Sequence, residues 1–284
     1  MKNEVLIWKD DGLPMLESGD WTREKYLHLF NYIQVFSKGM RNIWDKRVYV
    51  DLYSGPGCCR IEGTGKVYRG SPLLALSVDY PFDKYVLCEK DGANLSALIQ
   101  RISTLRIRAE IEYVDGDCDQ KVETIISKIP QYSHKSKVLT FCFVDPFDLS
   151  VRFDTLRRLA DSRRIDFLML LALAMDANRN VKHYVSARNN KIDLFLDSHD
   201  WRDRWESYKL KDDSFQRFLA REFEEKMLAI GYLKSHNNTK EFKIQEKNVT
   251  LYHLAFFSKS ERGYDFWEKG VRSSDPQGML DFED

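Results

Sequence analysis

The sequence predicts an α/β fold, a doubly wound sheet of mostly parallel strands that ends in an antiparallel hairpin. Short apolar runs alternate with segments of helical periodicity as far as Leu173, which is typical of consecutive βαβ units. These runs are apolar throughout, as expected for strands that helices cover on both faces. Two further strand-like runs, about 241–247 and 249–258, are separated only by a predicted turn at Lys247–Asn248.

The same pattern gives the order of the elements. The strands are predicted at Val48–Tyr53, 84–89, Glu110–Val114, Val138–Val144 and Asp166–Leu173. The helices are predicted at 20–45 with Asp20 as cap, 71–79 with Pro72 in the first turn, 94–106, 120–129, 152–162 and 261–270. A helical insert is expected at about 177–231, with apolar faces from Trp201, Trp205, Phe215, Phe218 and Phe223. We therefore expect one domain over residues 1–284.

Composition narrows the class of protein. The 44 basic and 44 acidic residues give a formal net charge of zero, which argues against nonspecific coating of nucleic acid but allows a local basic patch. The longest apolar run, Phe167 to Met175, is about half the length of a membrane span, and the N-terminus has no signal-peptide run. A cytoplasmic protein without a membrane segment is expected.

The five cysteines have neither the paired spacing of a zinc site nor the even number of a disulfide scaffold. They are Cys58, Cys59, Cys88, Cys118 and Cys142. We expect no metal site, and we expect Cys58 and Cys59 to contribute to packing.

A glycine-rich loop, D-L-Y-S-G-P-G (51–57), follows the first predicted strand. Gly55 and Gly57 allow a tight turn close to a ligand, with Asp51 and Tyr53 beside it. The dinucleotide fingerprint G-x-G-x-x-G is broken here, because the third glycine is absent, and no Walker lysine follows. A carboxylate in this position suits a cationic ligand such as S-adenosylmethionine (SAM), although a simple tight turn remains the alternative.

Acidic residues also end the next two strands. Glu89 lies 38 residues after Asp51, where a carboxylate can accept hydrogen bonds from both hydroxyls of a ribose. The extra length falls in 58–70, which is predicted to be a loop or small hairpin. In G-D-C-D (116–119), Asp117 and Cys118 are positioned to hold an adenine ring, and Asp117 or Asp119 can equally cap a helix.

The fourth motif, F-V-D-P-F (143–147), ends the fourth strand. Asp145, together with a backbone carbonyl near Pro146, can accept hydrogen bonds from a target amine, and Phe147 can stack on a base. Positioning of this kind supplies most of the catalysis in an in-line displacement. Only one proline is present where amino-methylating enzymes usually have two, which weakens the indication of N-methylation. A turn without chemistry is the alternative.

Together these motifs resemble the three-Cys-motif partner proteins (TcmP), a bacterial family, over about residues 20–270. The resemblance is carried by W-T-R-E-K-Y-L (21–27), D-L-Y-S-G-P-G (51–57), R-G-S-P-L-L-A-L (69–76), C-E-K-D (88–91), G-D-C-D (116–119), F-V-D-P-F-D-L (143–149) and Y-H-L-A-F-F-S-K (252–259). It implies a Rossmann-like, seven-stranded class I methyltransferase sheet and SAM as cofactor. It also implies a separately encoded partner with a three-cysteine, iron–sulfur or radical-SAM-like motif.

Three functions stay open at this level. The first is methyl transfer to nucleic acid, with an exocyclic amine as acceptor. The second is a SAM-binding partner subunit without activity of its own, and the third, a nicotinamide oxidoreductase, is disfavoured by the broken glycine fingerprint. Two basic clusters are candidates for phosphate contacts or are solvated helix faces. They comprise Arg152, Arg157, Arg158, Arg163 and Arg164, and Arg179, Lys182, His183, Arg188 and Lys191.

Overall fold

The main sheet has seven strands in the computed structural model, which describes residues 4–171, 173, 181–186, 188–212, 214–234, 239–244 and 249–272. In chain order the strands are β1 (Leu16–Ser18), β2 (Lys46–Asp51), β3 (Cys58–Ile61), β4 (Val67–Arg69), β5 (Lys84–Glu89), β6 (Glu110–Asp115), β7 (Val138–Val144), β8 (Ile165–Leu171), β9 (Thr239–Ile244) and β10 (Val249–Phe257). The order across the sheet is β6-β5-β2-β7-β8-β10-β9. The first five are parallel, and β10 is antiparallel to both neighbours.

The prediction of a mixed α/β fold around a largely parallel sheet is confirmed. Every residue of β7 and of β8 is buried, which explains why these runs contain so few polar side chains. Asp51 pairs with Leu87 on one side and with Phe143 on the other, and Glu89 pairs with Asp115. The carboxyl ends of β2, β5, β6 and β7 therefore meet at one edge of the sheet. The turn predicted at Lys247–Asn248 lies outside the described residues.

Helices cover both faces of the sheet. In chain order they are α1 (Trp21–Met40), α2 (Ser71–Leu76), α3 (Gly92–Ser103), α4 (Val122–Lys128), α5 (Phe153–Ser162), α6 (Val181–Val185), α7 (Lys191–Leu196), α8 (Trp201–Tyr208), α9 (Phe215–Ala229) and α10 (Glu261–Arg272). One apolar core packs α1, α2, α3 and α10 against one face of the sheet. A second core packs α4, α5, α7, α8 and α9 against the other face. The aromatic side chains predicted to form the apolar faces of the insert are buried in this second core.

The first helix is shorter than predicted. It ends at Met40 rather than at residue 45, because the backbone N–H of Asp45 already donates to the carbonyl of Lys137 at 2.9 Å, beside the start of β7. Asp20 makes no side-chain capping bond, contrary to the prediction. A side-chain cap that was not predicted forms on α3, where the Asp91 carboxylate accepts from the backbone N–H of Asn94.

A small second sheet packs beside the glycine loop. The segment 58–70 contains the hairpin β3–β4, and β1 adds to it in parallel, with Leu16 opposite Cys59. The strand β1 is not predicted from the sequence. Arg101 of α3, only 1% exposed, donates to the Asp11 carboxylate and to the carbonyl of Pro56. This guanidinium therefore joins the N-terminal segment to the loop that follows β2.

All five cysteines are buried and carry free thiols. Cys58 and Cys59 belong to the core on the α1 side of the sheet, so packing accounts for both. Within the part of the chain that the structure describes, no helix is both long enough and apolar enough to cross a bilayer.

Gly57 has a packing role that predicts a loss of stability on substitution. Its φ is +87°, and a Cβ there would lie 2.8 Å from Cδ1 of Leu98. Gly57→Ala is therefore expected to lower the free energy of unfolding by about 1–3 kcal/mol in urea titrations. Gly92→Ala is the matched control: it adds a Cβ in the first turn of α3 with nothing within 4 Å, and its effect should stay within about 0.5 kcal/mol. Equal effects of the two substitutions would contradict the packing role.

Candidate functional site

A cavity of about 530 Å³ opens where β2, β5, β6 and β7 end. This volume lies within the range of small-molecule sites. The cavity lies at the switch point of the sheet, where the strand order reverses. On one side of β2 lie β5 and β6, and on its other side lie β7 and β8. Of the residues predicted from sequence to form the site, eight line the cavity: Tyr53, Gly55, Glu89, Asp117, Cys118, Asp145, Pro146 and Phe147.

Glu89 is held on the cavity wall by the backbone of two loops. Its Oε2 accepts from the N–H of Gly55 at 2.8 Å, and its Oε1 accepts from the N–H of Asp91 at 2.9 Å. The side chain is 9% exposed, and Gly55 has a φ of +59°. An ionised carboxylate offers about four acceptor positions, so two remain for a ligand. The glycine bend and the carboxylate thus form one preorganised unit.

Asp51 lies behind this wall. It is completely buried, with Oδ2 accepting from the Tyr49 hydroxyl at 3.0 Å and Oδ1 accepting from the N–H of Tyr53 at 3.2 Å. Burial raises the pKa of Asp51 to about 7, against the opposing effect of the hydrogen bond from Ser71. Asp51 shares a strand face with Tyr49, and that face packs against α1 and α2. Asp51 therefore supports the loop through the backbone of Tyr53 and does not line the cavity, although the sequence predicts it beside the ligand.

Gly57 also stands apart from the cavity, since it packs against side chains of α2 and α3. Tyr53 lies on the wall and shares side-chain hydrogen bonds with Cys118 and Ser150. Burial raises the pKa of Tyr53 and raises the pKa of Cys118 to about 12. Both groups are therefore neutral at physiological pH, and Cys118 has the character of a packing thiol rather than of a nucleophile.

The G-D-C-D segment both caps a turn and lines the cavity. The Asp117 Oδ1 accepts from the N–H of Asp119 at 2.9 Å, which fixes the turn before α4. Asp119 points away from the cavity lining, accepting from the Thr155 hydroxyl and pairing with Arg152 at 3.5 Å. Asp117 therefore lines the cavity, whereas the predicted helix cap does not form, because the N-cap residue of α4 is Lys121 and it makes no side-chain capping bond. The ligand atoms of Asp117 lie within 4.8 Å of those of Cys118 and Asp119, but Asp119 is already engaged and the thiol is protonated.

The F-V-D-P-F segment divides between the cavity and its rim. Asp145 faces inward, with its side chain 12% exposed, and Pro146 is buried. Phe147 is 82% exposed on the rim, which is unusual for a phenylalanine next to a buried strand. Asp148, also on the lining, pairs with Lys191 of the helical insert at 2.6 Å.

Lys25 of α1, which is not among the residues predicted from the sequence, reaches the same cavity. Its Nζ donates to Oδ2 of Asp145 at 2.8 Å, and the side chain is only 7% exposed. The ammonium lies 5.2 Å from the ring centroid of Trp21 and 4.7 Å from that of Tyr26. The available signal was a lysine between Trp21 and Leu29, inside the apolar stripe of an amphipathic helix.

The charges on the lining have one predominant sign. Two lysines, Lys25 and Lys90, face six carboxylates. The carboxylates belong to Glu17, Glu62, Glu89, Asp117, Asp145 and Asp148. A cavity of this kind attracts cationic ligands and disfavours phosphate groups deep inside it.

The two basic clusters differ in their relation to the site. In the first, Arg157 pairs with Asp154 and Arg158 with Glu123, as expected for solvated helix faces. In the second, Lys191 reaches the cavity lining through Asp148, and Lys182, His183 and Arg188 are exposed nearby in sequence. Arg179 lies outside the described residues. The second cluster therefore borders the cavity through Lys191.

A larger cavity, about 980 Å³, lies at the opposite edge of the sheet near Arg163 and Asp166. Two of its charged groups are hydrogen-bonded within the protein. The Arg163 guanidinium donates to the carbonyls of Ile126 and Ile129, and Asp166 accepts from Ser258 at 2.8 Å. Ligands of open parallel sheets bind at the carboxyl ends of the strands, so the smaller cavity is the candidate site.

The buried Asp51 predicts a pH dependence of stability. Because its pKa is raised from 3.8 to about 7, the native protein holds a proton that the unfolded chain releases. This stabilisation is complete below about pH 4 and is lost as the pH rises towards 7. The free energy of unfolding of the wild type, relative to Asp51→Asn, should therefore fall between these pH values in urea titrations. The exposed Asp79→Asn should give a flat difference, and a flat difference for Asp51→Asn as well would contradict the protonated state.

No protein-family model matches this chain, and no curated protein matches its sequence. Among solved structures, a protein from Legionella pneumophila is 12% identical over 86% of this chain and 89% of its own, with a TM-score of 0.48. A candidate O-methyltransferase from Klebsiella pneumoniae is 11% identical over 88% of this chain and 84% of its own, with a TM-score of 0.46. A candidate RNA methyltransferase from Pyrococcus horikoshii is 13% identical over 83% of both chains, with a TM-score of 0.38. Likenesses this distant carry no argument about function, which therefore depends on the cavity itself.

Proposed function

We propose that this protein is a SAM-dependent methyltransferase that acts on an exocyclic amine of a nucleic acid. The observation that carries the proposal is the placement of Glu89. Two backbone N–H groups fix this carboxylate on the wall of a cavity that also receives Asp117 and Asp145. Three acidic residues from the ends of three parallel strands thus line one hollow of nucleoside size.

The lining fits the cofactor in charge and in hydrogen-bonding groups. Glu89 has acceptor positions for the two ribose hydroxyls. Asp117 and Cys118 would hold the adenine ring, and the excess of carboxylates suits a sulfonium and an ammonium group. Asp51 would act indirectly, by holding the backbone of Tyr53 in the loop.

The acceptor side rests on Asp145 and Phe147. When bound, SAM supplies a methyl group that passes from sulfur to the acceptor nitrogen as the sulfur keeps the bonding electrons and the nitrogen releases a proton. Asp145 would accept a hydrogen bond from the amine and so direct the nitrogen lone pair into the cavity. Phe147, exposed on the rim, would stack on the base that carries the amine. Fixing this geometry is the main catalytic contribution expected of the protein.

The support for nucleic acid as the acceptor comes from basic residues next to the cavity, not from the residues that line it. Lys191 pairs with Asp148 on the lining, and Lys182, His183 and Arg188 are exposed in the same segment. Phosphates would meet this cluster while the base enters past Phe147. A base within a duplex would have to be flipped out of its stack first. The proposed three-Cys-motif partner depends on the sequence resemblance alone.

A second function is favoured by one specific contact. Lys25 already occupies one oxygen of Asp145, the residue assigned to the acceptor amine. A protein that binds SAM but transfers nothing, and serves as a subunit of the iron–sulfur partner, is consistent with this contact and with the single proline of the motif.

Glu89→Ala should weaken SAM binding by roughly 10- to 100-fold in isothermal titration calorimetry, because a hydrogen bond to a charged group contributes about 1.5–3 kcal/mol. Glu225→Ala, at an exposed glutamate of α9, is the matched control and should bind SAM as the wild type does. Thermal melts of both variants separate loss of binding from loss of fold. Unchanged affinity in a folded Glu89→Ala protein would remove this residue from the site and with it the basis of the proposal.

Asp145→Ala should reduce methyl transfer by about 100-fold or more while SAM affinity changes little, because Asp145 is assigned to the acceptor. Transfer of the labelled methyl group from SAM to total RNA or DNA measures this effect. SAM binding by the wild type without transfer to RNA, DNA or the partner protein would instead support the subunit function.

A further inference from the structure

Lys25 and Asp145 form an ion pair inside the candidate site. The Nζ and Oδ2 atoms are 2.8 Å apart, and the side chains are only 7% and 12% exposed. Burying two charges is costly, and apolar side chains of similar volume usually stabilise a fold as well or better. Stability therefore gives a poor account of this pair, whereas its position on the cavity lining gives a functional one.

The geometry leaves room for a second partner on the carboxylate. Lys25 engages Oδ2, and a carboxylate can accept about four hydrogen bonds over its two oxygens. The ammonium is itself held near the rings of Trp21 and Tyr26, which belong to the same helix. Lys25 is thus a fixed donor that restricts the rotation of the Asp145 side chain.

On the basis of the proposed function, we propose that Lys25 is a positioning residue that orients the Asp145 carboxylate towards the acceptor amine. Lys25 would act on the acceptor through Asp145, while Glu89 and Asp117 would hold the cofactor. The contact that favours the inactive subunit then becomes part of the catalytic arrangement. In this arrangement the substrate amine and Lys25 share the carboxylate.

The test is a double-mutant cycle in the full chain, with Lys25→Met, Asp145→Ala and the double variant. Lys25→Met keeps the length of the side chain and removes its charge, and it should lower kcat by about 10- to 100-fold. The double variant should be no less active than Asp145→Ala alone, because residues that act as one unit are not additive. Lys25→Arg should recover part of the activity, since it keeps the positive charge.

Three further measurements separate positioning from a structural role. SAM affinity by calorimetry should be unchanged within about threefold in Lys25→Met, since the cofactor side is intact. Lys38→Met, at an exposed lysine of the same helix, should keep wild-type kcat and melting temperature. Mass spectrometry of wild-type protein after incubation with SAM should find Lys25 unmethylated.

The outcomes distinguish this inference from the function on which it rests. A wild type that transfers no methyl group overturns both. An active wild type with wild-type kcat in Lys25→Met, or with additive losses in the double variant, overturns only the positioning role. Methylation of Lys25 itself would also overturn it, because Nζ would then be an acceptor rather than a fixed donor.

Discussion

Burial of the parallel sheet on both faces is the constraint on which the rest of the molecule depends. Every residue of β7 and of β8 is buried, so a charged side chain within these strands loses most of its hydration. Asp166 of β8 shows the consequence, because burial raises its pKa to about 7, and Asp51, which ends β2 on a face covered by helices, has the same shift. The acidic side chains that line the cavity lie instead where strands end and open onto it: Glu89 ends β5, and Asp117 and Asp145 follow β6 and β7.

Acidic and basic side chains are unevenly distributed around the site. Its lining carries an excess of carboxylates, and the basic segment 182–191 contacts that lining through the Lys191–Asp148 pair. A cationic cofactor is favoured inside, and phosphates are favoured outside. This arrangement reconciles a chain of zero net charge with the proposed nucleic-acid acceptor, because the contacts with phosphate need only a local patch.

The parts that sequence predicted are those encoded locally. The strand 84–89 and its terminal Glu89 follow from an apolar run and the residue that ends it. Asp51 ends an apolar run in the same way. Its burial, however, depends on the face of β2 that it shares with Tyr49 and on the helices that cover that face, and neither is encoded in the local sequence. The strand β1 is three residues long and exists because it pairs with β3, more than 40 residues away. Lys25 was detectable as a charge in an apolar stripe, but its partner, 120 residues away, was not.

Long-range contacts also complete the cavity. Residues 16–19 and the first turns of α1 contribute to its lining together with the strand ends. The segment before α1 is held by the pairing of β1 with β3 and by Arg101, whose buried guanidinium donates to Asp11, Leu13 and Pro14 and to the carbonyl of Pro56. The strand ends thus supply Glu89, Asp117 and Asp145, whereas α1 supplies Lys25, which contacts Asp145. Under the proposed function, changes in the N-terminal segment are expected to act on the acceptor through the Lys25–Asp145 pair, while the contacts of Glu89 with Gly55 and Asp91 stay intact.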